Sequence, residues 1–513
     1  MSRGEQPASA RDERAYDLIV AGDRVPAADP DDSSDHVDVA LASLRPFVAA
    51  RRGTWTAVPD GAAARLGSGL LRSLYHHQRA EFPDGWFEPY EQANHALAHS
   101  VASSAGSGGI VWLHGHQLQL LPRMLRRMRP DLASAVHLHS AFPPAEAFGR
   151  LPEHRELLSG LLGADVVALP HRRAVDNLLD LAGRVHGLPV RDGQIAVGNR
   201  RVRVLACALP ADTGGMRRLS RLPQVRARAA EIRAALRVDG PVLLSIAGWD
   251  PADAVEQRLH AFDRFLAEHR PEPGTVALLH VACGEPRTPE EQEQRELVDR
   301  LIAKLNGTHA SVGQAVVHYV RTSPDRRELA ALYLACDGLL ATPVHHGTLH
   351  AAHEFAAARG ARGATVVVSE LTSGAAELPG AITVNPHDTA GYAEAIALAA
   401  GCHGPAPLAG VRPDQPALDT WAEHVLTAVR ARAAAGPVPR PRRQPTMPGH
   451  TRPALPERAA PRPAAGPEPP AARTCTDATG SPGLRPPSAW AQPRLTVSPS
   501  AAGPAGGWSR SSG

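Results

Sequence analysis

Short apolar runs closed by polar or turn residues alternate along this chain with longer stretches whose apolar positions recur every three or four residues. Tyr16-Asp-Leu-Ile-Val-Ala reads as a buried strand, stopped by a Gly-Asp-Arg loop and Pro26. Val39 to Ala50 is expected as a short helix, Gly53-Thr-Trp-Thr-Ala as a strand, and Gln92 to Ser103 as a helix with Ala93, Leu97, Val101 and Ala102 on one face. Val111 to Leu113 is the next buried strand. Leu118, Leu121, Leu125 and Met128 then mark one helical face, with Arg123, Arg126 and Arg127 on the other. Ala135 to His139 is a strand, Leu157 to Leu162 lies on a helix, and Asp165 to Leu169 is a strand. A second alternating series starts at Pro241-Val-Leu-Leu-Ser-Ile-Ala and runs to a strand at Thr365 to Ser369. An amphipathic helix around Thr420 to Arg430 ends the patterned part. Such alternation predicts parallel, doubly wound sheets with ligands at the carboxyl ends of the strands.

Composition changes this picture mainly at the ends. Residues 1–14 are polar, and residues 436–513 are rich in Pro, Ala, Arg and Gly without periodicity. Neither can bury enough apolar surface to offset chain entropy, so both are expected to be disordered. The tail holds ten Arg against three acids, which leaves the rest at about −4 although the whole chain is +3. Global charge therefore gives no case for a nucleic-acid partner. The five cysteines are scattered without a CxxC pair, as suits a reducing cytoplasm. No apolar run reaches the length of a membrane span, and no secretory leader is read at the N-terminus.

The expected organisation is a first domain over 15–215, a connection over 216–240, a second domain over 241–412, and a last helix over 413–435. The fold class is α/β, with two Rossmann-like doubly wound domains facing a cleft and a disordered C-terminal tail.

Particular words in the sequence are more specific than the pattern. Trp112-Leu-His-Gly-His-Gln-Leu resembles the Trp-x-His-Asp-Tyr-x-Leu motif of trehalose-6-phosphate synthases, and His139-Ser-Ala-Phe-Pro-Pro resembles their His-Ile-Pro-Phe-Pro segment. Further similar segments are Glu328-Leu-Ala-Ala-Leu-Tyr333, Glu354-Phe-Ala-Ala-Ala-Arg359, Val368-Ser-Glu370 and Val384-Asn-Pro-His-Asp388. The resemblance covers roughly 16 to 430 and is strongest from about 110 to 400. It implies the GT-B arrangement of two domains, with the last helix crossing back to the first. It also implies a retaining glycosyltransferase that moves glucose from a nucleotide diphosphate sugar to glucose 6-phosphate without a metal or organic cofactor.

By the same resemblance His139 is the sugar-contacting catalytic histidine. Arg24 and, with different local spacing, Arg287 are acceptor-phosphate residues. Gly347, Thr348 and Leu349 lead into a helix whose amides face the donor, and Glu354 binds the donor ribose. Other family positions are changed. The Asp after the first motif's His is Gly115, and its neighbouring Tyr is His116. The Arg and Lys that meet the leaving diphosphate are Gly248 and Asp253. A Trp is Arg72, and the sugar-binding loop now reads His346-Gly-Thr-Leu-His-Ala-Ala-His353-Glu. Charge builds on the diphosphate as it leaves, and losing one donor there costs on the order of 10² to 10³ in rate. An impaired synthase is therefore expected. The alternatives are a non-catalytic paralogue that binds sugar phosphate or nucleotide, or partners an active synthase, and a member with altered acceptor chemistry.

Histidines crowd the same segments. His114 with His116, and His137 with His139, stand two apart at strand ends, while His346, His350 and His353 have helical spacing. Two readings remain open: an acquired metal site, or polar space filled where Asp, Tyr and Lys were lost. No metal is assigned.

Overall fold

The computed structural model describes residues 15–33, 35–58, 62–75, 82–344, 349–360, 363–372, 378–402 and 417–434, without the side chains of 32, 62–68 and 432–434. The expectations for 1–14 and 436–513 lie outside the described residues.

Eight strands form the first sheet: β1 (Tyr16–Gly22), β2 (Gly53–Ala57), β3 (Ala105–His114), β4 (Ala133–His137), β5 (Val166–Leu169), β6 (Val190–Arg191), β7 (Gln194–Val197) and β8 (Arg200–Ala206). Their order is β2-β1-β3-β4-β5-β8-β7-β6. All neighbours are parallel except at the edge, where β8, β7 and β6 pair antiparallel. The second sheet holds β9 (Val242–Ala247), β10 (Ala277–Ala282), β11 (Val317–Arg321), β12 (Gly338–Ala341), β13 (Thr365–Ser369) and β14 (Ile382–Val384), in the order β11-β10-β9-β12-β13-β14, all parallel.

Both sheets reverse their winding direction once, between β1 and β3 and between β9 and β12. Connections diverge there and leave a crevice at the carboxyl ends. The central strands are buried throughout, as in β4 and β10, because helices cover both faces.

Two local expectations shift. Val39 to Ala50 is two helices, His36–Ser43 and Arg45–Ala49, because Pro46 lacks an amide hydrogen and sits in the first turn of the second. The strand expected to reach His139 stops at His137. Residues 216–240 include the helix Pro223–Leu236, whose Val225, Ala229 and Leu236 join the second sheet's buried cluster.

The last helix, Leu418–Ala434, packs Trp421, Val425, Leu426 and Val429 against Leu18, Val20, Trp112 and Ala135 of the first sheet. This contact places Trp421 beside the ends of β3 and β4.

Candidate active site

The loops after β1, β3, β4, β9 and β12 carry most of the singled-out residues. After β3, Gly115 has φ +96° and donates its amide to His137 O at 2.9 Å. An L side chain is strained in that conformation, which glycine adopts freely.

His114, His137 and His139 form a stack beyond this turn. Ring planes lie within 4° to 19° of parallel and centroids are 4.8 to 5.8 Å apart. His114 Nδ1 and His139 Nε2 share a hydrogen bond at 3.1 Å, with the donor set by tautomer. Trp112 and Trp421 close the stack from the side. Burial, reinforced by mutual repulsion, holds His114 and His139 well below the ordinary imidazole pKa; burial alone takes His137 to about 3. Burial likewise takes His350 and His353 to about 4. These rings are neutral near pH 7, so they supply polarity and no cationic charge.

Among the described residues, no group of three or more His, Cys, Asp or Glu is arranged to hold a metal ion. Imidazole lone pairs lie in the ring plane, and stacked planes do not converge on one point. His346 lies outside the described residues.

The positions that the resemblance matches to diphosphate ligands follow β9. Asp253 Oδ2 accepts the Gly248 amide at 2.9 Å, so the acid folds back onto its own loop. The next cation, Arg258, is 2% exposed. It donates to Ser245 Oγ at 2.6 Å, Thr342 Oγ1 at 3.3 Å and Asp253 O at 3.0 Å. Arg258 is thus spent on holding the loop from beneath. Across the crevice Arg72 reaches Asp250 at 3.6 Å.

Glu354 lies on the helix His350–Arg359 after β12 and is 1% exposed. His36 Nδ1 of the first lobe stands 3.0 Å from its Oε2, and Arg326 Nη2 stands 3.5 Å from its Oε1. Arg326, itself 1% exposed, also donates to Asp212 Oδ2 at 2.7 Å and approaches Asp31 at 4.0 Å. The carboxylate matched to the ribose ligand is therefore inside an inter-lobe ion cluster. Local sequence gave no sign of His36 or Arg326, because the cluster is assembled from separate elements of the chain.

Arg24 follows β1 and is exposed, but Asp35 holds it at 2.8 Å and Asp38 approaches at 3.5 Å. Arg287 is exposed before the helix Pro289–His309; its backbone amide donates to Glu291 Oε2 at 2.6 Å, and its guanidinium has no carboxylate partner among the described residues. Leu349 is buried at the start of the Glu354 helix. Gly347 and Thr348 lie outside the described residues. His353 is buried with Nδ1 unpartnered.

Burial opposes charge on both His36 and Glu354, yet their attraction wins: the His36 pKa is raised and that of Glu354 lowered. The raised His36 pKa gives stability that is full below the ordinary histidine value and is lost as pH rises through the folded value. The lowered Glu354 pKa gives stability that is full above the ordinary carboxyl value and is lost as pH falls through the folded one. Urea-unfolding midpoints between pH 6.5 and 9 should fall for the native chain, and H36Q should lack that part of the decline. Equal declines in both proteins would remove His36 from the account.

The sequence model of glycosyltransferase family 20 matches residues 63–401. The chain belongs to glycosyltransferase family 20. A trehalose-6-phosphate synthase of Mycobacterium marinum is 36% identical over 337 residues, covering 64% of this chain and 66% of that protein. The match therefore spans slightly less than two thirds of that relative. A UDP-forming α,α-trehalose-phosphate synthase of Burkholderia xenovorans, solved in complex with glucose-6-phosphate, superposes with a TM-score of 0.72 at 20% identity, covering 80% of this chain and 99% of that one. An E. coli structure bound with UDP-2-fluoro glucose gives 0.73 at 18% identity, covering 80% and 98%. These likenesses establish the two-lobed GT-B fold. Among the described residues no helix is long and apolar enough to cross a membrane.

Proposed function

We propose that this chain is a trehalose-6-phosphate synthase-like protein whose cleft takes a sugar phosphate or nucleotide sugar and whose hexosyl transfer is strongly impaired. The family reaction would move glucose from a nucleotide diphosphate glucose to glucose 6-phosphate. Its transition state places growing negative charge on the diphosphate, and stabilising that charge is the main task of the protein. The observation that carries the reading is the Asp253 carboxylate seated on the Gly248 amide, an anion where the reaction asks for two cations. Neutral histidines nearby do not replace that charge, and Arg258 is committed to the loop's own support.

Restoring both cations tests the reading. A Cβ at Gly248 would meet only Asp253 Oδ2 at 3.6 Å and Cys283 O at 3.9 Å, which are ordinary contacts, so an Arg can start there. The G248R/D253K variant should bind UDP-glucose about tenfold more tightly or better by calorimetry, given roughly 1.5–3 kcal/mol per charged hydrogen bond. Unchanged affinity would show that the missing cations are not what limits donor binding.

A further inference from the structure

The arginine face of the helix Leu121–Met128 takes no part in the cleft. It opens instead into a pocket of about 230 Å³ on the first lobe. The pocket lies at the amino-terminal edge of the sheet. Its walls come from residues just before β5, from the first residue of β8 and from the end of the helix Arg172–His186. The cleft is at the carboxyl edge, so the two sites are on opposite sides of the sheet.

We propose that this pocket is an accessory binding site for a phosphate monoester of metabolite size. Arg123, Arg126, Arg127 and Arg200 all line it. Arg126 is paired with Asp165 at 2.6 Å, and Arg200 donates to the carbonyls of Ala164 and Leu162. Those two shape the wall. Arg123 donates one bond to Ser159 Oγ at 3.0 Å and, like Arg127, has no carboxylate partner among the described residues. Two guanidinium forks thus remain for an anion, and a planar fork matches a phosphate's paired oxygens. His186 also lines the pocket, and its buried Nε2 has no hydrogen-bond partner. Burial, then the Arg155 charge, keeps that ring below the ordinary histidine pKa, with Glu156 a weak offset. Leu162, Leu188 and Val197 give an apolar wall suited to the organic part of an ester.

Glycine makes the approach possible. A Cβ on Gly163 would penetrate the backbone of Arg123 and Pro122. Only hydrogen there lets the turn before β5 sit against the arginine helix and bring Arg123 beside Ser159. A shaped pocket with two uncommitted cations and an unpartnered imidazole favours a compact anion over an extended polymer, which would need a stripe.

Calorimetry on the full chain at fixed ionic strength tests the proposal, with orthophosphate and glucose 6-phosphate as probes. The ester should bind more tightly than orthophosphate at this site. R123Q/R127Q should weaken that binding about tenfold or more, whereas R24Q, altered only at the cleft, should keep it. Loss in R24Q with retention in R123Q/R127Q, equal affinity for both probes, or no saturable binding would overturn the proposal. A second readout uses the native protein alone. Glucose 6-phosphate should protect Arg123 and Arg127 from phenylglyoxal, read by peptide mass spectrometry, and undiminished labelling would contradict the site. Neither readout depends on hexosyl transfer, so failure of the proposed function leaves the result interpretable.

Discussion

Replacing Arg326 with Leu should cost about 3–5 kcal/mol of folding stability, the usual penalty for leaving a buried charge without its partner. Its guanidinium is 1% exposed and holds Asp212, approaches Glu354 and faces Asp31. Removing it leaves Glu354 with His36, and Asp31 with Arg218, as the remaining nearby cations. Glu354 and Asp212 both have lowered pKa values: burial opposes this, and Arg326 contributes to it in each case. Domains commonly have only 5–15 kcal/mol in total, so the variant should be visibly fragile in urea. Adding E354Q and D212N to R326L should recover part of the loss, because neutral amides remove the uncompensated charge. A penalty below about 1 kcal/mol, or no recovery, would show that the cluster is not electrostatically coupled.

Stability should fall steeply between pH 6.5 and about 4. His137, His350 and His353 are buried neutral, with burial the leading cause of folded pKa values of about 3, 4 and 4. A depressed folded pKa leaves stability full above the unfolded value and removes it as pH falls toward the folded value. In that window the unfolded chain binds protons that the native chain does not. Each ring then adds a slope of about 1.4 kcal/mol per pH unit. Three such rings together imply roughly 4 kcal/mol per unit if they act independently, enough to unfold an ordinary domain within two to three pH units. Chemical unfolding at stepped pH values measures the slope directly, and H137L should lower it by one ring's share. A flat profile from pH 7 to 5 would mean that these rings take up protons without unfolding.

The scaffold was legible because its signals are local. The apolar runs of β1, β3 and β9 announce themselves over five or six residues, and the polar words at their ends gave the family resemblance. Even the misread helix at Val39 to Ala50 has a local cause in Pro46. The state of the site was less legible, because it depends on partners far away in the chain. Glu354 keeps the residue type that the resemblance matches to a ribose ligand, yet His36 reaches it from the first lobe and Arg326 from the helix Arg326–Ala335. Arg24 keeps its place after β1, yet Asp35 and Asp38 hold its side chain. Gly115 could be read as a changed residue type, but the positive φ it adopts could not. The histidines left a metal site and filled polar space both open, and their stacking follows from pairing His114 beside His137 across β3 and β4.

The loop from Gly248 to Asp253 makes the central claim quantitative. On the proposed reading two diphosphate donors are lost, each worth on the order of 10² to 10³ in rate, which predicts a deficit of roughly 10⁴ or more. The direct measurement is the turnover number of the purified chain with UDP-, ADP- or GDP-glucose and glucose 6-phosphate, following trehalose 6-phosphate, beside a family synthase assayed in parallel. Turnover at least roughly 10⁴-fold below that synthase with every donor is the predicted result, and turnover comparable to it with any one donor would contradict the account.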